Sequence, residues 1–387
     1  MLTLIENARI HAPDDLGTGH VVTGGGQVLY LGSERPDIDH RLLSERIDLE
    51  GRALVPGLVD AHVHATGGGG EDGFSTQAMP VPLTQYTRYG VTSVVGLLGT
   101  DDETRSTAGL LARVRALREE GLSAWAWTGG YHLPATTLTG SVRRDIVSID
   151  CIIGCGETAI SDHRSSQPTF DELARLAADV HVAGLIARKA GVLHLHLGDG
   201  DRGLSLVRRL LEETELPARV FHPTHVNRKP ALFEEAIELS RQGVCVDVTA
   251  FPVYEGEKAI WVADAWEQYH AAGAPTTNFT VSSDGGGCLP AFDEQGQMTH
   301  MEFGTSAGMA DGIADLAGRG HALADILPAF TRNPARLLRL YGKGELRAGA
   351  DADLLCLDEH HRPLHLMANG QWMVRDGEPV VTGTFEE

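Results

Sequence analysis

Eight short apolar runs recur through the middle of the chain, and their spacing constrains the fold more than any other feature. They are LVDAHVH (58–64), GVTSVVGLLG (90–99), SAWAWTG (123–129), CIIGCGETAI (151–160), GVLHLHLG (191–198), RVFHPTHV (219–226), GVCVDVTA (243–250) and FTVSSDG (279–285). Their starts fall 24 to 40 residues apart, about one strand–helix repeat each. Amphipathic stretches separate several of them. TRSTAGLLARVRALREEG ends at Gly121, a residue suited to the position just past a helix. PTFDELARLAADVHVAGL opens with Thr169 and carries Glu172 three residues later, the pattern of a capping box. ALFEEAIELSRQG and ALADILPAFTRNPARLLRLYG read as further helices. Eight such units predict an α/β chain whose residues 57–340 form a closed parallel (β/α)8 barrel of the TIM type, not an open doubly wound sheet. No GxGxxG opens a helix after the first strand, which argues further against a dinucleotide-binding sheet.

The two ends have a different texture. LIENARIHAP, GHVVTGGGQVLYLGS and RIDLEGRALVPG alternate apolar and polar residues between glycine turns, and DADLLCLD, LHLMANGQWMVRDGEPV and VVTGTF repeat the pattern near the C-terminus. Residues 1–56 and 341–387 are therefore expected to build one small, β-sandwich-like domain from both termini. The length of 387 residues suits one barrel plus such a piece. A formal net charge of -21 argues against nucleic acid as a partner. No run approaches the 18 apolar residues of a membrane span. Five scattered cysteines do not form a disulfide framework, and MLTLIENARIHAP lacks the basic start and apolar core of a signal peptide, so a cytoplasmic location is expected.

In a barrel of this kind the chemistry sits at the C-terminal ends of the strands. The first run ends in His62-Val63-His64, the fourth carries Glu157, the fifth His194 and His196, the sixth His222 and His225, and the eighth Asp284. Residues i and i+2 of a strand share a face, so His62 and His64 can reach one ion. An isolated His-x-His also lines polar strand ends. Here the other strand ends add two histidines and two carboxylates. Six donors exceed the needs of one tetrahedral zinc with an open position. They suit two divalent ions sharing a bridging carboxylate and a bridging hydroxide. His62, His64 and Asp284 would hold one ion, His196 and His225 the other, and Glu157 would bridge them. His194 and His222 read as residues lining the strand interior, and Asp162 and Asp199 as caps or turn residues.

PGLVDAHVH, the single histidines of the fifth and sixth runs, SSDG and NPARLLRLYGKGELRAGADADLL resemble the amidohydrolase superfamily. HATGGGGEDG, TSVVGLLGTD, TGGYHLP, AISDHRS, LHLGD and PTHVNR are similar to the isoaspartyl (β-aspartyl) dipeptidases, and the resemblance covers essentially the whole chain. It implies metal-dependent hydrolysis of β-aspartyl dipeptides by a metal-bound hydroxide, with two divalent ions, zinc being the expected one. His62, His64, His196, His225 and Asp284 would be ligands, and Asp284 would also act as general base and acid. Tyr131 would donate to the oxygen of the tetrahedral intermediate. Glu71 would bind the substrate's α-amino group, Arg164 and Arg228 its two carboxylates, and Gly69 and Thr100 would complete the pocket. The resemblance also implies a homo-oligomer.

Two positions depart from the family pattern. Better-known members carry a carboxylated lysine where this chain has Glu157, and none of its four lysines (Lys189, Lys229, Lys258, Lys343) is at the end of the fourth run. Glutamate offers the same two oxygens on a shorter stem, so the backbone must shift or one ion is held more loosely. Gly154-Cys155-Gly156 can permit the shift. Cys288 stands where the family has a serine near the substrate carboxylate, and a thiol is a weaker donor. Two alternatives stay open: an N-acyl amino acid or cyclic-amide hydrolase of the same superfamily, and a barrel that serves assembly without catalysis.

Overall fold

The computed structural model describes residues 1–292 and 298–386. Five strands open the chain: β1 (Leu2–His11), β2 (Asp15–Gly24), β3 (Gln27–Gly32), β4 (Leu43–Asp48) and β5 (Ala53–Pro56). Each of the eight apolar runs then becomes a strand: β6 (Leu58–Val63), β7 (Val91–Gly96), β8 (Ser123–Thr128), β9 (Ile152–Ile160), β10 (Leu193–Leu197), β11 (Phe221–Thr224), β12 (Val246–Thr249) and β13 (Phe279–Ser282). A hairpin follows, β14 (Cys288–Phe292) with β15 (Met298–Phe303), and the chain closes with β16 (Leu354–Leu357), β17 (Pro363–Ala368), β18 (Gln371–Arg375) and β19 (Glu378–Pro379).

β6 to β11 form one parallel sheet in sequence order, and β12 and β13 form a parallel pair. The pair reaches the first strand again: Val63 bridges Gly285 in the parallel sense, and the His64 amide donates to the Gly285 carbonyl at 2.8 Å. Nearly every residue of these strands is buried, as expected of parallel strands covered on both faces. Helices supply the cover. In the helix Thr107–Glu119, Leu110, Val114 and Leu117 recur on one face and have no exposed surface. Each such side chain contributes about 1.5–3 kcal/mol of burial. The helix stops where expected, with Gly121 at φ 102° just past its end. Thr169 and Glu172 form the predicted capping box of the helix Phe170–Ala187.

One expected helix is not continuous. ALADILPAFTRNPARLLRLYG breaks into Leu323–Ile326, a 3₁₀ turn Leu327–Phe330 and Arg332–Leu337. Pro328 and Pro334 each lack an amide hydrogen and crowd the preceding turn, so neither can stand inside one long helix.

The strands from the two chain ends share one nine-stranded sheet in the order β19-β18-β17-β16-β5-β1-β2-β3, with β4 also paired to β1. Ile5, Ile10, Val21, Leu54, Leu354 and Met367 pack together in its own core. Among the described residues no helix is long and apolar enough to cross a membrane.

Candidate metal centre and its pocket

The strand ends deliver their donors to one place. The ligand atoms of His62, His64 and Asp284 all lie within 4.8 Å of one another, and so do those of His62, Glu157 and His225. His62 Nε2 lies 3.3 Å from Asp284 Oδ1 and 3.5 Å from Glu157 Oε2. His64 Nε2 lies 3.0 Å from Asp284 Oδ1 and 3.4 Å from Glu157 Oε1. His225 Nε2 lies 3.4 Å from Glu157 Oε2, and its Nδ1 is 2.7 Å from Thr249 Oγ1, which fixes the ring.

Local backbone explains the reach. His225 and Asp284 both adopt the left-handed region, at φ 61° and 55°. That conformation costs about 1–3 kcal/mol per non-glycine residue and persists only where neighbours enforce it. Around Asp284 the Gly285 amide binds Ser283 Oγ and the Gly287 amide binds the Asp284 carbonyl. Glu157 is brought inward by its glycines. A Cβ at position 154 would meet the Val192 carbonyl at 2.4 Å, and one at position 156 would meet His194 Cβ at 2.6 Å. β9 therefore packs closer than a side-chain-bearing residue at these positions would permit, and Glu157 Oε2 comes within 3.5 Å of His62 Nε2 and 3.4 Å of His225 Nε2.

The two central carboxylates are unlike. Burial raises the pKa of each. The rings of His62 and His64 nevertheless hold Asp284 well below the ordinary range, while burial and the Asp284 charge push Glu157 well above it. Three polar atoms at the centre, His62 Nε2, Glu157 Oε1 and Asp284 Oδ1, are buried without a hydrogen-bond partner. His62 and His64 approach Asp284 closely, but no hydrogen bond is made to Asp284 Oδ1. Unsatisfied buried nitrogen and oxygen atoms facing one another are costly, and divalent cations held among such donors would satisfy them. The donor set fits such an ion.

His196 departs from the expected grouping. Its Nδ1 is 3.1 Å from Glu157 Oε2 and 2.8 Å from the Tyr131 hydroxyl, but its Nε2 turns to Asp162 Oδ2 at 3.0 Å. It lies outside both three-residue groups, while His62 belongs to both. Asp162 is accordingly more than a turn residue. It binds His196, and it takes the Arg164 amide at 2.7 Å and Arg164 Nη2 at 2.8 Å. Burial would raise its pKa, but these partners hold it far below the usual carboxylate range.

Of the thirteen residues expected to bind metal or substrate or to act in catalysis, all but His62 line one cavity of about 850 Å³. His62 lies beneath it, without exposed surface. At the cavity wall Arg164 Nη1 donates to Glu71 Oε1 at 2.8 Å, and the Thr100 hydroxyl donates to the same oxygen at 2.9 Å. Arg228 pairs with the exposed Asp199, at 3.8 Å. Gly69 is required where it stands: at φ 81° a Cβ would meet Cys288 Sγ at 2.4 Å. The Cys288 thiol, pushed up to about 11 chiefly by burial, is 3.7 Å from the Thr76 carbonyl. Tyr131 is buried, and burial followed by the Glu157 charge raises its pKa well above the ordinary value, so the hydroxyl stays a donor.

Sequence reasoning missed the outer wall. Tyr254, Glu257 and Lys258, in the loop after β12, line the cavity, and the Tyr254 hydroxyl donates to Glu302 on β15 at 2.8 Å. It also missed Asp247, wholly buried in β12, which accepts from Thr224, Ser282 and Thr280. A lone acid in the otherwise uncharged run GVCVDVTA was the available signal.

Comparison with known proteins gives the same direction. The profile of the amidohydrolase family matches residues 53–385. The structure is similar to that of a β-aspartyl dipeptidase from the thermophilic, keratin-degrading Fervidobacterium islandicum AW-1 in complex with β-Asp-Leu dipeptide. That similarity has a TM-score of 0.91 and 38% identity, over 100% of both chains. A second structure of the enzyme from that organism gives 0.88 and 37% over 98% of both. An imidazolonepropionase from Acidiphilium cryptum is 32% identical over 153 residues, 36% of this chain and 37% of that protein. The chain thus matches only about a third of the length of its curated relatives.

Proposed function

The chain belongs to the amidohydrolase family and is a hydrolase, and from that premise we propose that it cleaves β-aspartyl (isoaspartyl) dipeptides. One observation carries this reading. The anion Glu71 and the cations Arg164 and Arg228 line the same cavity as the strand-end donors. A β-aspartyl dipeptide has a free α-amino group, an α-carboxylate on the aspartyl residue, and the carboxylate of the second residue. Glu71 suits the first, and the guanidinium forks of Arg164 and Arg228 suit the other two. Glu71 and Arg164 pair with each other across the cavity, and substrate would replace that contact with one pair for each.

In this proposal the strands β6 to β13 close into a (β/α)8 barrel over residues 57–340, beside a small domain of residues 1–56 and 341–387. The contact of β13 with β6 and the shared nine-stranded sheet support it. His62, His64 and Asp284 would hold one divalent ion, with Glu157 and His225 on a second that His196 approaches through Nδ1. Zinc is the expected ion for imidazole and carboxylate donors. Such ions, when bound, supply a Lewis acid and lower the pKa of water toward about 7. Asp284, ionised, takes a proton from the attacking water and delivers it to the departing amine. Tyr131 donates to the oxygen that gains charge. Cys288 faces the region of the substrate carboxylate as a neutral thiol, a weaker donor than a hydroxyl.

The test compares β-Asp-Leu with α-Asp-Leu, with metal analysis of the same sample. An α-dipeptide presents its amine and carboxylate at a different spacing from the scissile carbonyl, so one buried charge is left unpaired. Discrimination of roughly 10²-fold or more is expected. Equal cleavage of both would overturn the proposal and favour an N-acyl amino acid or cyclic-amide hydrolase.

A further inference from the structure

Behind His62 runs a line of buried polar groups that the proposed chemistry does not use. His62 Nδ1 is 2.8 Å from His194 Nε2, and His194 Nδ1 is 2.9 Å from His222 Nδ1. His222 Nε2 is 2.9 Å from Thr280 Oγ1, which donates to Asp247 Oδ1 at 2.7 Å. All five side chains have no exposed surface. The His194 ring lies flat on Trp127, at 5.1 Å and 9°, and Trp127 Nε1 is anchored on the Ala61 carbonyl at 3.0 Å.

The direction of the hydrogens follows from the far end. Asp247 is acceptor-only as a carboxylate, and it is approached by three hydroxyls: Thr280 at 2.7 Å, Thr224 at 2.7 Å and Ser282 at 2.5 Å. Each must donate. Thr280 has then spent its single hydrogen and accepts from His222 Nε2–H. A neutral imidazole carries one hydrogen, so His222 Nδ1 is bare and accepts from His194 Nδ1–H. By the same rule His194 Nε2 is bare and accepts from His62 Nδ1–H. His62 Nε2 is thereby left with a lone pair, and it is the atom that faces Asp284 and Glu157 without a hydrogen bond. The reverse polarity would place a hydrogen on that nitrogen and block it as a ligand.

We propose that Asp247 is a positioning residue: through Thr280, His222 and His194 it fixes the tautomer of His62 and keeps Nε2 bare for a cation. The proposal rests on the reading of the strand-end cluster as a metal site. It extends the usual outer support of a ligating histidine, one partner on its second nitrogen, to a carboxylate three groups further away.

Long-range ¹H–¹⁵N spectra of histidine-labelled protein, recorded metal-free and with Zn²⁺ added, test it without recourse to activity. The expected pattern in both states is hydrogen on Nδ1 of His194 and on Nε2 of His222. Hydrogen on Nε2 of His194 with Nδ1 of His222, or a charged ring at either position near neutral pH, overturns the proposal. Chelator competition on Asp247→Asn, whose amide can donate to Thr280 and reverse the line, should show Zn²⁺ binding weakened by about ten- to a hundredfold. Ser282→Ala removes a donor to Asp247 that lies outside the line and should keep both tautomers. Unchanged Zn²⁺ affinity in a folded Asp247→Asn counts against the proposal. If the expected tautomers appear and Zn²⁺ does not bind, the metal reading fails and the hydrogen-bond polarity stands.

Discussion

Two buried glutamates show how differently one fold can surround the same side chain. Glu6, in the nine-stranded sheet, is 3% exposed, and Glu157, at the strand ends, is 1% exposed. Burial raises the pKa of both. Around Glu6 it is outweighed: Arg46 and Arg35 each bond one carboxylate oxygen, and the acid is held below its ordinary range. Around Glu157 it is not. Among the described residues no lysine or arginine bonds it, Asp284 adds to the repulsion, and Oε1 has no hydrogen-bond partner. Among the described residues the fold completes the first site with two arginines and leaves Glu157 Oε1 without a partner.

The contrast breaks most readily at Glu157. Glu157→Gln should lower the metal content and reduce the rate by more than about 10²-fold, beyond what the loss of an outer partner costs. The melting temperature in chelator should hold or rise, because an uncompensated charge has been removed. Full metal content with a normal rate would dissolve the distinction. Asp284→Asn is next. It should keep much of the metal and lower kcat by at least about 10²-fold, as expected for loss of a general acid–base group. Steady-state kinetics on the metal-replete variant decide it.

Smaller effects sharpen the comparison. Glu71→Gln and Arg228→Met should each reduce kcat/KM on β-Asp-Leu by about ten- to a hundredfold, the size of one lost charge-assisted hydrogen bond, with metal content unchanged. Glu6→Gln should leave kinetics alone and cost about 1 kcal/mol, because Arg35 and Arg46 are more than half exposed and solvent screens the pairs. Its sign with pH is fixed. A folded pKa below the ordinary 4.5 gives stability that is present above that value and lost as pH falls through the folded pKa. The gap between wild type and Glu6→Gln in denaturant melts should therefore close on acidification below about pH 4.5.

The sequence made the repeat legible because parallel strands buried on both faces read as continuous apolar runs, and all eight became strands. The donors were legible because a histidine or acid at the end of such a run has few structural uses. Asp162 and Asp247 were not, since an acid in a turn reads as a cap and one acid within a strand carries no partner information. Only the fold shows three hydroxyls and a histidine line meeting at Asp247. The broken helix after Ala322 was readable in principle from its two prolines, but the apolar period over those residues suggested continuity.

The nine-stranded sheet has a consequence for synthesis. β5 pairs with β1 on one side and with β16 on the other, and 297 residues separate Pro56 from Leu354. At about 5–20 residues per second, the second edge of β5 stays bare for roughly 15–60 s on the ribosome. An unpaired edge invites pairing with a neighbouring nascent chain. β5 is only four residues long and ends in proline, which has no amide hydrogen to offer a neighbour, so this waiting edge is a poor template meanwhile.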